Sequence, residues 1–163
     1  MTPATLLLRQ IHPNFVQAGR VTSQAFRPTP KDEGYLSVDN GDLITPHASW
    51  QRFTANPDYS SVGIMAVTCS ECTQQALPVL ADAAPYPEHC VIDYTAFPKK
   101  VIEQKAKVLR GLAQTRGWLW QSNANGQFTI EPPQSKRKPL SKQYQMTQLK
   151  TALITGITGQ DGS

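Results

Sequence analysis

The chain has 163 residues, 39% of them hydrophobic and 17% charged, with a formal net charge of +4, which suits one compact domain plus an extension and excludes a large multidomain enzyme. No apolar run approaches the roughly 20 residues needed to span a bilayer, and Leu6-Leu7-Leu8 with Arg9 directly after it lacks the charge order and length of a secretory signal. Three cysteines are too few, and odd in number, for a disulfide framework, so the expectation is a soluble cytoplasmic protein with reduced thiols.

In chain order, the apolar stretch Leu6 to Val16 predicts a short strand and then a turn, because Pro13 pushes His12 towards an extended conformation. Residues 27–34, Arg-Pro-Thr-Pro-Lys-Asp-Glu-Gly, read as an exposed loop, since two prolines and four charges cannot sit in a central strand. Tyr35 to Val38 predicts a strand that ends in a turn at Asp39-Asn40-Gly41-Asp42. Thr45-Pro46 then supplies a capping hydroxyl and a proline at the first helical position, opening a helix to about Ala55. Trp50 and Phe53 are expected to share its buried face, and Asn56-Pro57-Asp58 ends it.

Val62 to Cys69 is β-branched and continuously apolar, the pattern of a central strand covered on both faces. Residues 76–89 are rich in Ala and hold Pro78, Pro85 and Pro87, which predicts a loop without an element; Val91 to Tyr94 reads as another strand. From Pro98 to Arg116 the residues Val101, Ile102, Ala106, Val108, Leu109, Leu112 and Ala113 recur at helical spacing, with Gly117 as the C-terminal cap. Trp118 to Trp120 and Gln127 to Ile130 flank Asn125-Gly126 as a closing hairpin.

These elements define an α+β domain over residues 4–130, a small mixed or antiparallel sheet packed with two main helices. Its expected core is Val62, Ile64, Val67, Val91, Ile92, Val101, Leu109 and Leu112. Residues 131–145, rich in proline and in basic side chains, predict a flexible linker to a final segment, 146–163.

Charge is unevenly spread, net −4 over residues 1–98 and net +8 over residues 99–163. The basic helix face of Lys99, Lys100, Lys105, Lys107 and Arg110, the Lys136-Arg137-Lys138 run, and Trp118 and Trp120 as stacking surfaces could together serve nucleic acid. A solvated helix face with core aromatics explains the same residues, so no nucleic-acid partner is expected. Cys69-Ser70-Glu71-Cys72 with His89-Cys90 could assemble four metal ligands, but adjacent residues at a strand start point to opposite faces. No metal is expected, and a thioredoxin-like role for the cysteine pair lacks a helix-opening context. His12, His47 and His89 suit ordinary surface or capping roles. Arg9 and His12, Thr22-Ser23 and Glu88 follow the order, though not a diagnostic spacing, of the layout that resembles ADP-ribosyltransferases. Residues 1–130 otherwise carry no motif that names a chemistry.

The last segment does. Lys150 to Thr155 has strand composition and runs into Gly156-Ile157-Thr158-Gly159-Gln160-Asp161-Gly162-Ser163. Glycines after a strand let backbone approach a pyrophosphate, and the N–H groups opening the next helix supply donors. Residues 146–163 resemble the N-terminus of the GDP-mannose 4,6-dehydratases, extended short-chain dehydrogenase/reductases, with Gln160-Asp161-Gly162 as the most specific part. The resemblance implies an incomplete Rossmann-type first strand and glycine loop. It also implies NADP as cofactor, with Gly156, Gly159 and Gly162 at its phosphates and Thr158, Gln160 and Asp161 in the same loop. That family's catalytic residues lie far downstream of this loop. The expectation is a small domain of unknown activity fused to the truncated start of a dehydratase-like enzyme, not catalytically competent and binding no NADP by itself. The alternatives are a fragment of a GDP-mannose 4,6-dehydratase, and a small ADP-ribosyltransferase-like or nucleic-acid-binding protein.

Overall fold

The computed structural model describes residues 1–122 and 128–129. The chain divides into two units, Met1–Pro133 and Gln134–Ser163; the linker, the Lys136 to Lys138 run and the glycine loop Gly156 to Ser163 lie outside the described residues. Among the described residues nine strands and three α-helices follow one another: β1 (Leu6–Ile11), β2 (Val16–Gln17), β3 (Arg20–Val21), β4 (Tyr35–Asn40), α1 (Pro46–Thr54), β5 (Gly63–Thr68), α2 (Cys69–Gln74), β6 (Val79–Ala81), β7 (His89–Asp93), α3 (Lys99–Arg116), β8 (Trp120–Ser122) and β9 (Phe128–Thr129).

Seven of the strands form one sheet in the order β6-β7-β4-β1-β5-β8-β9, and every neighbouring pair is antiparallel. The fold is therefore α+β with an antiparallel sheet. The middle place belongs to β1; the segment predicted as central, now β5, is its neighbour. β1 wins that place because its alternation buries both faces: Leu7 and Ile11 enter the larger core, and Leu8 enters a second core on the reverse face.

The larger core joins that face to α3, to α2 and to the 3-10 turn Ser23–Phe26. Ala106, Leu109 and Ala113 of α3 are fully buried at helical spacing, and Gly117 at φ 88° ends the helix. Of the expected core, Ile64, Val67, Val91, Ile92 and Leu109 are buried; Val62, Val101 and Leu112 are half-buried at its margin. Val108, counted with the apolar face, is 42% exposed, because it lies beside Lys107 on the outer side.

Three further expectations are corrected, and one element was not expected at all. Residues 76–89 contain a strand, β6, which pairs with β7 alone; an edge strand needs partners on one side only, so Pro78 just before it costs nothing. The turn after β4 begins two residues later, since Asp39 pairs with both Leu8 and His89 while the Asn40 N–H donates to the Glu88 carbonyl at 2.8 Å. Cys69 does not end a strand but opens α2, whose Thr68 hydroxyl accepts from the Glu71 N–H as the Glu71 carboxylate accepts from the Thr68 N–H, a capping box. A hairpin of β2 and β3, unanticipated, turns through Ala18 at φ 50° and Gly19 at φ 76°, two positive φ values that suit a tight two-residue turn.

Glu71 also ties α2 to α3, accepting from Arg116 at 2.7 and 3.1 Å. Burial works against its ionisation, but the bonds from Arg116 and Thr68 outweigh that and hold its carboxyl below the ordinary value of 4.5. A lowered folded-state pKa contributes stability that is present above the unfolded pKa and is lost as pH falls through the folded value. The stability gap between the native chain and Glu71→Gln, measured by urea unfolding, should therefore be largest near neutrality and close progressively below about pH 4.5.

Candidate functional site

The reverse face of the sheet is only half covered. α1 packs on β1 and β5, where Trp50, Ile44 and Leu119 join Leu8, Ile64, Ala66 and Trp120 in the second core. α1 reaches β4 at Asp39, through Ser49 and Arg52, and a cleft of about 470 Å³ opens beside it. That volume lies within the range typical of small-ligand sites, about 300–1,000 Å³.

The α1 residues Ser49, Arg52 and Phe53 stand at i, i+3 and i+4 from the fully buried Ser49 and so share one face; Arg52, Phe53 and Asn56, just beyond the helix end, line the cleft. Thr45 starts the helix by accepting from the Ala48 N–H at 3.2 Å, with Pro46 at its first position. The cap thereby fixes which residues face the sheet. Ser49, not Trp50 or Phe53, is the fully buried residue of this helix; Phe53 is half-buried and stacks on Tyr59 with ring centroids 4.9 Å apart.

A polar network crosses the cleft floor. The Ser49 hydroxyl donates to Asp39 Oδ2 at 2.6 Å, and Gln10 Nε2 donates to the Ser49 hydroxyl at 3.0 Å and to its carbonyl at 3.1 Å. Arg52 bridges two carboxylates, donating to Asp39 Oδ2 at 2.9 Å and pairing with Glu88 Oε1 at 3.0 Å. The guanidinium lies 3.9 Å from the centroid of the Tyr86 ring, a cation–π contact that adds to its fixation. His89 stands directly across from Asp39 in the β4–β7 ladder. Its Nδ1 is 3.0 Å from the Asp82 carbonyl and 3.4 Å from Asp82 Oδ2.

Arg9, which shares with Leu7 and Ile11 the face of β1 towards the larger core, closes the inner end from that side. β1 pairs with β4 only through Leu7–Asn40 and Leu8–Asp39 and then follows β5 alone. Arg9 fills the gap, its Nε donating to the Ala25 carbonyl at 2.7 Å and its Nη1 to the Ser37 carbonyl at 3.0 Å. Desolvation pulls its pKa down to about 10 against the opposing fields of Asp32 and Tyr94, which still leaves the group cationic at neutral pH.

The other expected site residues do not converge. Arg9 donates to two backbone carbonyls, Glu88 pairs with Arg52, and His12 accepts from the Asn14 N–H through Nδ1 at 3.0 Å, while the buried Thr22 hydroxyl makes no hydrogen bond among the described residues, so the ADP-ribosyltransferase-like series does not form one site. Cys69 and Cys72 do open a helix, correcting the expectation that this context was missing. Burial nevertheless pushes both thiols up, Cys72 to about 12, and Cys90 upward as well, so all three stay protonated and poorly nucleophilic at neutral pH. All three are unpaired thiols, and no group of His, Cys, Asp or Glu among the described residues could hold a metal ion. Trp118 is half-buried against the larger core and Trp120 is 1% exposed. Neither offers a face to a base. Lys105 on the basic helix is engaged by the Gln75 carbonyl and lies over the Phe97 ring. No helix of the described residues is long and apolar enough to cross a membrane.

The cleft was missed because its sequence signal, Ser49-Arg52-Phe53-Asn56, is a mixed polar and aromatic face that reads as a solvated helix surface until Asp39 and Glu88 are placed opposite it. No family model matches the chain, and no curated protein or solved structure matches it either.

Proposed function

We propose that residues 1–122 form a small-molecule-binding domain whose ligand, a compact molecule with a planar ring, occupies the cleft between α1, β4 and β7. One observation carries this reading. Side chains from β1, β4, α1 and the approach to β7 converge on a single cleft, with rigid aromatic walls at Phe53, Tyr59 and Tyr86 above a hydrogen-bonded polar floor. Aromatic rings offer flat contact area at little entropic cost, while a few fixed polar groups orient what lies between them. Chemical-shift mapping with small ring compounds tests the reading, with perturbations expected at Gln10, Ser37, Phe53 and Tyr86.

For residues 146–163 we propose the start of a dinucleotide-binding domain similar to that of the GDP-mannose 4,6-dehydratases. The unbroken string Thr155 to Ser163 after a strand-like run supports it. Titrating the full chain with NADP, with and without those residues, tests it.

A further inference from the structure

We infer that the cleft ligand is an anion, a carboxylate or phosphate monoester attached to the ring, and that Arg9 is the residue that receives it. This rests on the cleft being the binding site and adds the chemical class of its ligand. Arg9 stands in the cleft wall as a cation with a fixed geometry and no ion pair: none of those among the described residues includes it. A guanidinium carries five N–H donors, and among the described residues only the bonds to Ala25 and Ser37 use them. Those two bonds anchor its plane and leave the rest of the fork unused.

Placing a largely desolvated cation without a contacting counter-ion is costly, and the fold brings no carboxylate into contact with it; Asp32 acts on it only through its field. Asp39 is held by Ser49 and Arg52. Asp32, which shares the cleft, accepts from the Thr29 N–H at 2.6 Å and from its hydroxyl at 2.7 Å. The contrast with Arg52 is instructive, since that guanidinium in the same cleft is matched to two carboxylates. A carboxylate or phosphate suits the open side of Arg9, because its oxygens accept two parallel N–H bonds from a planar fork. The Ser37 hydroxyl, exposed on the same cleft lining, can add a neutral donor.

The test uses matched probes on the full chain: AMP against adenosine, benzoate against benzamide, and inorganic phosphate alone, with dissociation constants read from cleft amide shifts and the Arg9 Nε–H signal followed directly. In each pair the anion should bind at least about tenfold more tightly and move the Arg9 signal, and Arg9→Lys should narrow that preference. Equal affinities within the pairs, an unmoved Arg9 signal, or no binding by any charged probe overturns the inference. Neutral rings binding at the cleft as well as their anions would uphold the ring reading and remove the anion. Inorganic phosphate binding as tightly as AMP would do the reverse. Because Arg9 also ties β4 to the 23–26 turn, Arg9→Gln can fail to fold, and the probe comparison on the unaltered protein decides independently of it.

Discussion

Arg52→Met is expected to lower the unfolding free energy by roughly 3 kcal/mol, as befits removal of one partner from a largely buried ion-pair group. The methionine retains most of the stem volume, so the loss isolates the charge. Asp39 and Glu88, whose side chains are 13% and 17% exposed, would be left facing each other across the cleft with only the Ser49 hydroxyl on Asp39. Urea unfolding at neutral pH measures the loss. The triple variant Arg52→Met, Asp39→Asn, Glu88→Gln should recover most of it, because no uncompensated charge remains. A single variant as stable as the native chain would mean that solvent, and not Arg52, satisfies those carboxylates.

Leu109→Ala should cost about 2–5 kcal/mol, the sum of lost transfer free energy and the cavity left behind. Leu109 is fully buried in the larger core between α3 and the sheet, where neighbours from several elements cannot all relax inward. Val108→Ala, one residue away but 42% exposed, should change stability by less than about 0.5 kcal/mol. Comparable losses at both positions would contradict the rotation of α3 about its axis.

The elements that the sequence made legible are those whose signal is local. The Thr45-Pro46 start of α1 and the Gly117 end of α3 depend on residues within one turn of the feature, and both form; β8 pairs with β9, while the Asn125-Gly126 turn expected between them lies outside the described residues. Elements that depend on distant partners were misread. β6 has three residues and no propensity of its own; it exists because Val79–Ala81 meets the free edge of β7. Asp39-Asn40 has turn composition, yet Asp39 stays in the sheet because Leu8 and His89 flank it there and Ser49 and Arg52 satisfy its carboxylate. Tertiary context overrides propensity in both.

The candidate site was still less legible, for the same reason. Arg9, Asp39, Arg52 and Glu88 are spread over the chain without a spacing that links them, and their chemistry comes from the β1–β4–β7 order and from the one helix that stops short of covering it. His89 has the sequence context of a routine strand-start residue; the ladder sets it across from Asp39 on the cleft face. The Cys69–Cys72 pair has the more suggestive spacing, yet Cys69 is half-buried and Cys72 buried, and desolvation pushes both thiols up.

Binding at the α1–β4–β7 cleft is tested most directly by recording amide shifts of the isotopically labelled chain against a panel of small ring compounds, charged and neutral. The perturbed residues should cluster at Gln10, Ser37, Asp39, Phe53 and Tyr86. Shifts gathered instead at the groove lined by Phe15, Arg27 and Ile102, or at the one beside Met1, Cys69 and Thr73, would contradict it.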